Sequence, residues 1–97
     1  MIKKDLEKSE RVRKQRGVNY GRLLDWYQKN ESGNVRYRLE RDCFAYWYLL
    51  ENGSDGLFES LSGVEGVTKR QARRHVKTDE KNAKRYQECL QDLGLQD

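Results

Sequence analysis

The chain has 97 residues, no proline and a formal net charge of +4, with 37% charged and 35% hydrophobic residues. A chain of this length buries only about 60–65% of the surface it exposes when unfolded, which excludes several domains and predicts one small core over residues 1–97. No apolar run approaches the roughly 18 residues of a membrane span, and the first residues lack the apolar stretch of a secretory signal. We therefore expect a cytoplasmic protein with no membrane partner.

The first segment, residues 1–17, is rich in helix-forming and basic residues but has few apolar side chains to bury. Ile2, Leu6 and Val12 are too sparse to anchor a helix to a core. We interpret 1–17 as a basic arm that could add a second nucleic-acid contact, although Asp5, Glu7 and Glu10 favour a plain solvated helix.

Two amphipathic helices are predicted next. The first begins near Asn19, a residue type that caps helices, and would bury Leu23, Leu24, Trp26 and Tyr27. The second, over 36–51, gives the strongest helical signal of the chain, and its apolar residues recur at spacings of four and three: Leu39, Cys43, Trp47 and Leu50. This helix is apolar around much of its surface, so we expect it to be the central element and the contact of a homodimer or larger homo-oligomer.

Glycine-rich turns divide the rest of the chain. The turn at 52–56 precedes a brief helix carrying Leu57, Phe58 and Leu61, and a second turn follows at 62–66. Thr68 and Gln71 then have the spacing of a capping box, which predicts a helix from Thr68 to about Lys77.

A further helix is predicted after a break at Thr78, because Asp79 and Glu80 suit the positive end of a new helix dipole. Its buried face would be Ala83, Tyr86, Leu90 and Leu93, with Gly94 ending it. The fold class expected is therefore all-α, a small bundle of four to five short helices.

A local excess of cations marks the stretch from 66 to 85, which holds eight Lys or Arg residues against two acids. On a helical wheel Ala72 and Val76 share the inward face with Val67 before them, and the cations spread over the outside. A merely solvated helix gains from alternating acids and bases, which this one lacks, so nucleic acid is the favoured partner.

The stretch "GVTKRQARRHVKTDEKNAKRYQECL", preceded by the short helix and turn, resembles the homeodomain-like helix-turn-helix of phage terminase small subunits and related phage DNA-binding proteins. The resemblance covers about 35 residues and implies a C-terminal helix-turn-helix with a supporting helix over 55–93. It also implies a phage or mobile-element regulator or a DNA-packaging recognition factor that binds double-stranded DNA. Glu65 and His75 stand where such motifs carry apolar residues.

Roles for individual residues follow from that resemblance. Lys69, Arg70 and Arg73 would face the major groove, where Arg pairs with guanine, and Gln71 could pair with adenine. The remaining cations would hold phosphates without reading sequence: Arg74, Lys77, Lys81, Lys84 and Arg85.

Other functions receive less support from the sequence. The two cysteines, Cys43 and Cys89, are interpreted as buried reduced residues, and His75 has no neighbouring ligand pattern, so we expect no metal, no cofactor and no catalysis. Aromatic residues at 44–48 are interpreted as core rather than as a base-stacking platform. The alternative function is a helical adaptor or inhibitor whose basic face binds an acidic surface of a protein partner.

Overall fold

A computed structural model describes residues 19–95, and every regular element in that range is helical. Helix α1 covers residues 19–30, α2 spans Val35–Ser62 and α3 spans Lys69–Asp92. The predicted arm at 1–17 lies outside the described residues, which begin at Asn19, the predicted cap of the first helix. Within 19–95, no helix combines the length and apolar character that a bilayer crossing requires.

Helix α2 is broken at Gly53. Asn34 caps its start by accepting a hydrogen bond from the Tyr37 amide at 3.1 Å. At Gly53 the backbone takes φ 74° and ψ 168°, far from helical values. Across the break the Tyr48 hydroxyl donates to Ser60 Oγ at 3.2 Å, although these residues would be about 18 Å apart along an unbroken helix. The segment at 54–62 therefore folds back toward the segment at 35–52.

Helix α3 is continuous for 24 residues, so the predicted break at Thr78 is wrong. The Thr78 hydroxyl donates to the Arg74 carbonyl at 3.1 Å instead of capping a new helix. This is a common bond for a threonine inside a helix, and the acids at 79 and 80 become ordinary mid-helix residues. The predicted pair of short helices is thus one long element.

The all-helical class is confirmed, but the expected number of helices is too high. Three helices account for the described residues, because the two predicted C-terminal helices are joined in α3. The brief helix predicted to carry Leu57, Phe58 and Leu61 is present as the second segment of α2, after the break at Gly53.

The core lies where all three helices meet. Leu23, Trp26 and Tyr27 of α1 pack there against α2 and α3, whose buried members are Leu39, Cys43, Tyr86, Cys89 and Leu90. Both cysteines are buried free thiols, as predicted. Burial raises the pKa of the Cys89 thiol to about 12, so this sulfur remains protonated at neutral pH and is a poor nucleophile.

The predicted inward faces are correct for some residues and wrong for others. Ala72 and Val76 are buried as expected, together with Tyr86 and Leu90. Leu50, however, is 59% exposed and lies three residues before the break at Gly53. In the aromatic stretch, Tyr46 joins the core by packing on Tyr86 with ring centroids 5.3 Å apart, whereas Phe44 is exposed.

Candidate nucleic-acid interface

The start of α3 is fixed by the predicted capping box. Thr68 Oγ1 accepts from the Gln71 amide at 3.1 Å, and the Thr68 amide donates to Gln71 Oε1 at 2.9 Å. Gly66, with φ 85°, makes the turn immediately before it. The box confirms the predicted boundary, but it also occupies the oxygen of Gln71. A two-bond contact from Gln71 to adenine, which needs both oxygen and nitrogen, would require the cap to open.

Five cations form a single row along the outer face of α3. They follow one another at spacings of four, three, four and three: Arg70, Arg74, Lys77, Lys81 and Lys84. All five side chains are exposed, and the row lies opposite the face that buries Ala72 and Val76. Because α3 does not break at Thr78, the row is straight and about 21 Å long at 1.5 Å per residue.

No described carboxylate forms an ion pair with a member of this row. Like charges three or four residues apart on a helix destabilise it by about 0.2–0.5 kcal/mol per pair, and the row contains four such steps. The first turn of α3 contains no acid, so Lys69 and Arg70 lie at the positive end of the helix dipole. The folded chain therefore concentrates positive potential at this surface.

Lys69 and Arg73 flank the row on the side toward the second segment of α2. Both are exposed, and the guanidinium of Arg73 lies 5.9 Å from the centre of the Phe58 ring. This distance is at the limit of a cation–π contact, which leaves the hydrogen-bonding edge of the guanidinium available. The two residues thus widen the cationic surface at its N-terminal end.

Arg85 has a different position from the other predicted cations. Its guanidinium donates to Glu31 at 2.8 Å, to Glu88 at 3.0 Å and to the Asn30 carbonyl at 3.1 Å. It also lies 4.8 Å from the centre of the Trp26 ring. The hydrogen bond with Glu31 raises the pKa of Arg85 above its already high ordinary value. Arg85 therefore joins the end of α1 to α3, and its guanidinium is occupied by contacts within the protein, unlike the cations of the row.

His75 lies outside the row, about 100° around α3 from its nearest member, Arg74. Its Nε2 is 3.5 Å from Asp79 Oδ2, one helical turn away, and the side chain is exposed. No group of three potential metal ligands occurs within residues 19–95. The contact that the structure shows for this histidine is with an acid of its own helix.

Two polar residues lie in the interior, a placement not predicted from the sequence. Asp42 is fully buried, and Asn82 is nine-tenths buried. A usable signal for Asp42 was its place between Leu39 and Cys43 on an apolar helix, where an acid needs a partner. Asn82 carried a weaker signal, since only its helical phase with Tyr86 indicates burial.

Comparison with protein-family models, with curated protein sequences and with solved structures finds no match for this chain. The resemblance to phage helix-turn-helix proteins therefore stays a prediction.

Proposed function

We propose that this protein binds double-stranded DNA through the outer face of α3. The observation that carries the proposal is the straight row of five exposed cations without carboxylate partners among the described residues. An α-helix with its side chains is about 10–12 Å across, which fits the roughly 12 Å width of the DNA major groove. A polyanion would relieve the repulsion along the row.

The second segment of α2, the turn at 63–68 and α3 would then act as a helix-turn-helix. Arg70 and Arg73 would reach base edges from the N-terminal half of α3, with Lys69 beside them. Arg74, Lys77, Lys81 and Lys84 would hold phosphates and fix the position of the helix without selecting a sequence. Gln71 would contribute its amide nitrogen only, as long as it caps the helix.

The biological role that best fits such a module is a phage or mobile-element regulator, or a factor that recognises DNA for packaging. A single small module rarely gives high affinity, so we propose that a homodimer or larger homo-oligomer is the binding form.

The deciding experiment is a titration of fluorescently labelled duplex DNA by anisotropy at several salt concentrations. The four phosphate contacts of Arg74, Lys77, Lys81 and Lys84 predict a slope of log Kobs against log salt of about −3 to −4. A slope near zero, or no binding at low salt, would refute DNA binding. In that case the helical adaptor that uses the same face on an acidic protein would be the remaining explanation.

A further inference from the structure

A polar cleft of about 630 Å³ lies between the first segment of α2 and the middle of α3. Its volume falls within the range of about 300–1,000 Å³ that is typical of small-molecule sites. Its lining includes Arg38, Arg41 and Asp42 on α2 and Lys81, Asn82 and Arg85 on α3. The cleft is separate from the open row, although Lys81 and Lys84 border both.

The charges of the cleft are not balanced. Five cations and three carboxylates line it, and every one of the carboxylates is already paired. Asp42 is 3.0 Å from Arg41, and Arg85 binds both Glu31 and Glu88. Arg38, Lys81 and Lys84 remain without a carboxylate partner within the described part of the chain. A positive potential therefore extends into the cleft.

Asn82 lines the same cleft with an unused carboxamide. The residue is only 9% exposed, and its side chain makes no hydrogen bond with another residue in the described range. The carboxamide is not among the fully buried polar atoms that lack a partner, so it is open to solvent through the cleft that Asn82 lines. Two donors and an acceptor thus face the cleft without a protein partner.

We propose that this cleft binds a small organic molecule with a terminal phosphate or carboxylate group. Arg38 and Lys81 hold the oxyanion, since the guanidinium fork matches two oxygens and the ammonium adds a point charge. Asn82 hydrogen-bonds a neutral polar part of the same molecule. A bare phosphate ion would fill only a small part of the volume, so the ligand has an organic body.

Lys81 is shared by the cleft and the row, but the proposal can be tested separately from DNA binding because Arg38 and Asn82 do not belong to the row on α3. Loss of the cleft would leave Arg70, Arg74 and Lys77 in place for DNA. Failure to bind DNA would equally leave the cleft unchanged.

The test is calorimetric titration of the full chain with three probes: inorganic phosphate, adenosine monophosphate and citrate. We expect saturable binding of an organic anion, tighter than that of inorganic phosphate. Whichever of adenosine monophosphate and citrate binds more tightly shows whether phosphate or carboxylate is the recognised group. Backbone and side-chain amide resonances followed by NMR should show the Asn82 carboxamide shifting during the same titration.

Variants assign the binding to the cleft. Arg38→Met should lower the affinity for the organic anion by about tenfold or more, as expected for a lost hydrogen bond to a charged group. Asn82→Leu should lower the affinity for the organic anion but not the affinity for inorganic phosphate. Circular dichroism checks that this variant folds. Arg36→Met, an exposed arginine of α2 that does not line the cleft, is the control for net charge.

Two results would overturn the proposal. One is the absence of saturable binding for all three probes with the wild-type chain. The other is an equal effect of Arg36→Met and Arg38→Met, which would show that the anion follows overall charge rather than a site. Since Arg38 is partly exposed and forms no described ion pair, its replacement tests the cleft even if Asn82→Leu fails to fold.

Discussion

The hydroxyl of Tyr27 donates a hydrogen bond of 2.8 Å to the carboxylate of Asp42, and both side chains are fully buried. Arg41, which lines the cleft, donates a hydrogen bond of 3.0 Å to the other carboxylate oxygen of Asp42. Burial raises the pKa of Tyr27, and the Asp42 carboxylate raises it further, so the phenol stays protonated and remains the donor. The bond joins α1 to α2 at the centre of the core.

Tyr27→Phe should destabilise the protein by about 1–3 kcal/mol, because it leaves a buried carboxylate oxygen without its donor while keeping the ring. The measurement is chemical denaturation followed by circular dichroism. Tyr37→Phe is the matched control, since Tyr37 is an exposed residue of α2, and it should change stability little. Equal stability of the wild type and Tyr27→Phe would mean that the bond contributes nothing.

Asp42→Asn should change the dependence of stability on pH. Burial raises the pKa of Asp42, while its hydrogen bonds with Tyr27 and Arg41 oppose the shift without cancelling it. A carboxyl whose pKa is higher in the folded than in the unfolded state binds more protons when folded, so its contribution to stability falls as pH rises through that window. Asparagine does not ionise, so the variant does not lose stability in this way as pH rises.

The stability of Asp42→Asn relative to wild type should therefore increase over the pH range that begins at about 4, the ordinary pKa of an aspartate. Urea denaturation of both proteins across that range provides the measurement. A relative stability that instead decreases with pH would show that the hydrogen bonds hold the Asp42 pKa below its ordinary value.

Gly53 permits the sharp break in α2, because its φ of 74° and ψ of 168° are accessible almost only to glycine. A Cβ placed there would meet no atom within 4 Å, so the strain of Gly53→Ala is purely that of the backbone. We expect Gly53→Ala to lower the free energy of unfolding by about 1–3 kcal/mol.

Gly21→Ala is the control for that substitution. Gly21 lies within α1 and its added Cβ would also meet nothing, so alanine should stabilise the protein by about 0.5–1 kcal/mol. Thermal denaturation of the two variants should give shifts of opposite sign. Shifts of the same sign would contradict the assigned role of Gly53.

Local signals in the sequence predicted local structure well. The capping box of Thr68 and Gln71 spans four residues and was predicted from spacing alone, as were the buried positions of Ala72 and Val76. Thr78 could not be decided in this way, because a threonine before two acids can either cap a helix or bond back within one. Packing against both segments of α2 favours the continuous helix.

Long-range contacts account for what the sequence could not predict. Arg85 belonged to a run of cations and looked like its neighbours, but its partners Glu31 and Asn30 lie more than 50 residues away in the chain. The cleft is similarly assembled from two helices that the sequence presents separately. Only the fold distinguishes an exposed cation from one that holds the helices together.

That distinction can be tested by removing one cation at a time from α3. Arg74→Ala and Lys77→Ala should each reduce the salt slope of DNA binding by about one, with little change in stability, because these residues are exposed and unpaired with any described carboxylate. Arg85→Ala should instead destabilise the fold by about 1–2 kcal/mol, through loss of partly exposed ion pairs and the contact with Trp26.

Arg36→Ala controls for the change in net charge, since this exposed arginine lies on α2 outside the row. Its salt slope should match that of the wild type. The measurements are anisotropy on one duplex across salt concentrations and denaturation of each variant. If Arg85→Ala flattened the slope as much as Arg74→Ala without loss of stability, Arg85 would belong to the DNA contact. The separation between a binding row on the outer face of α3 and a structural arginine beside it would then be wrong.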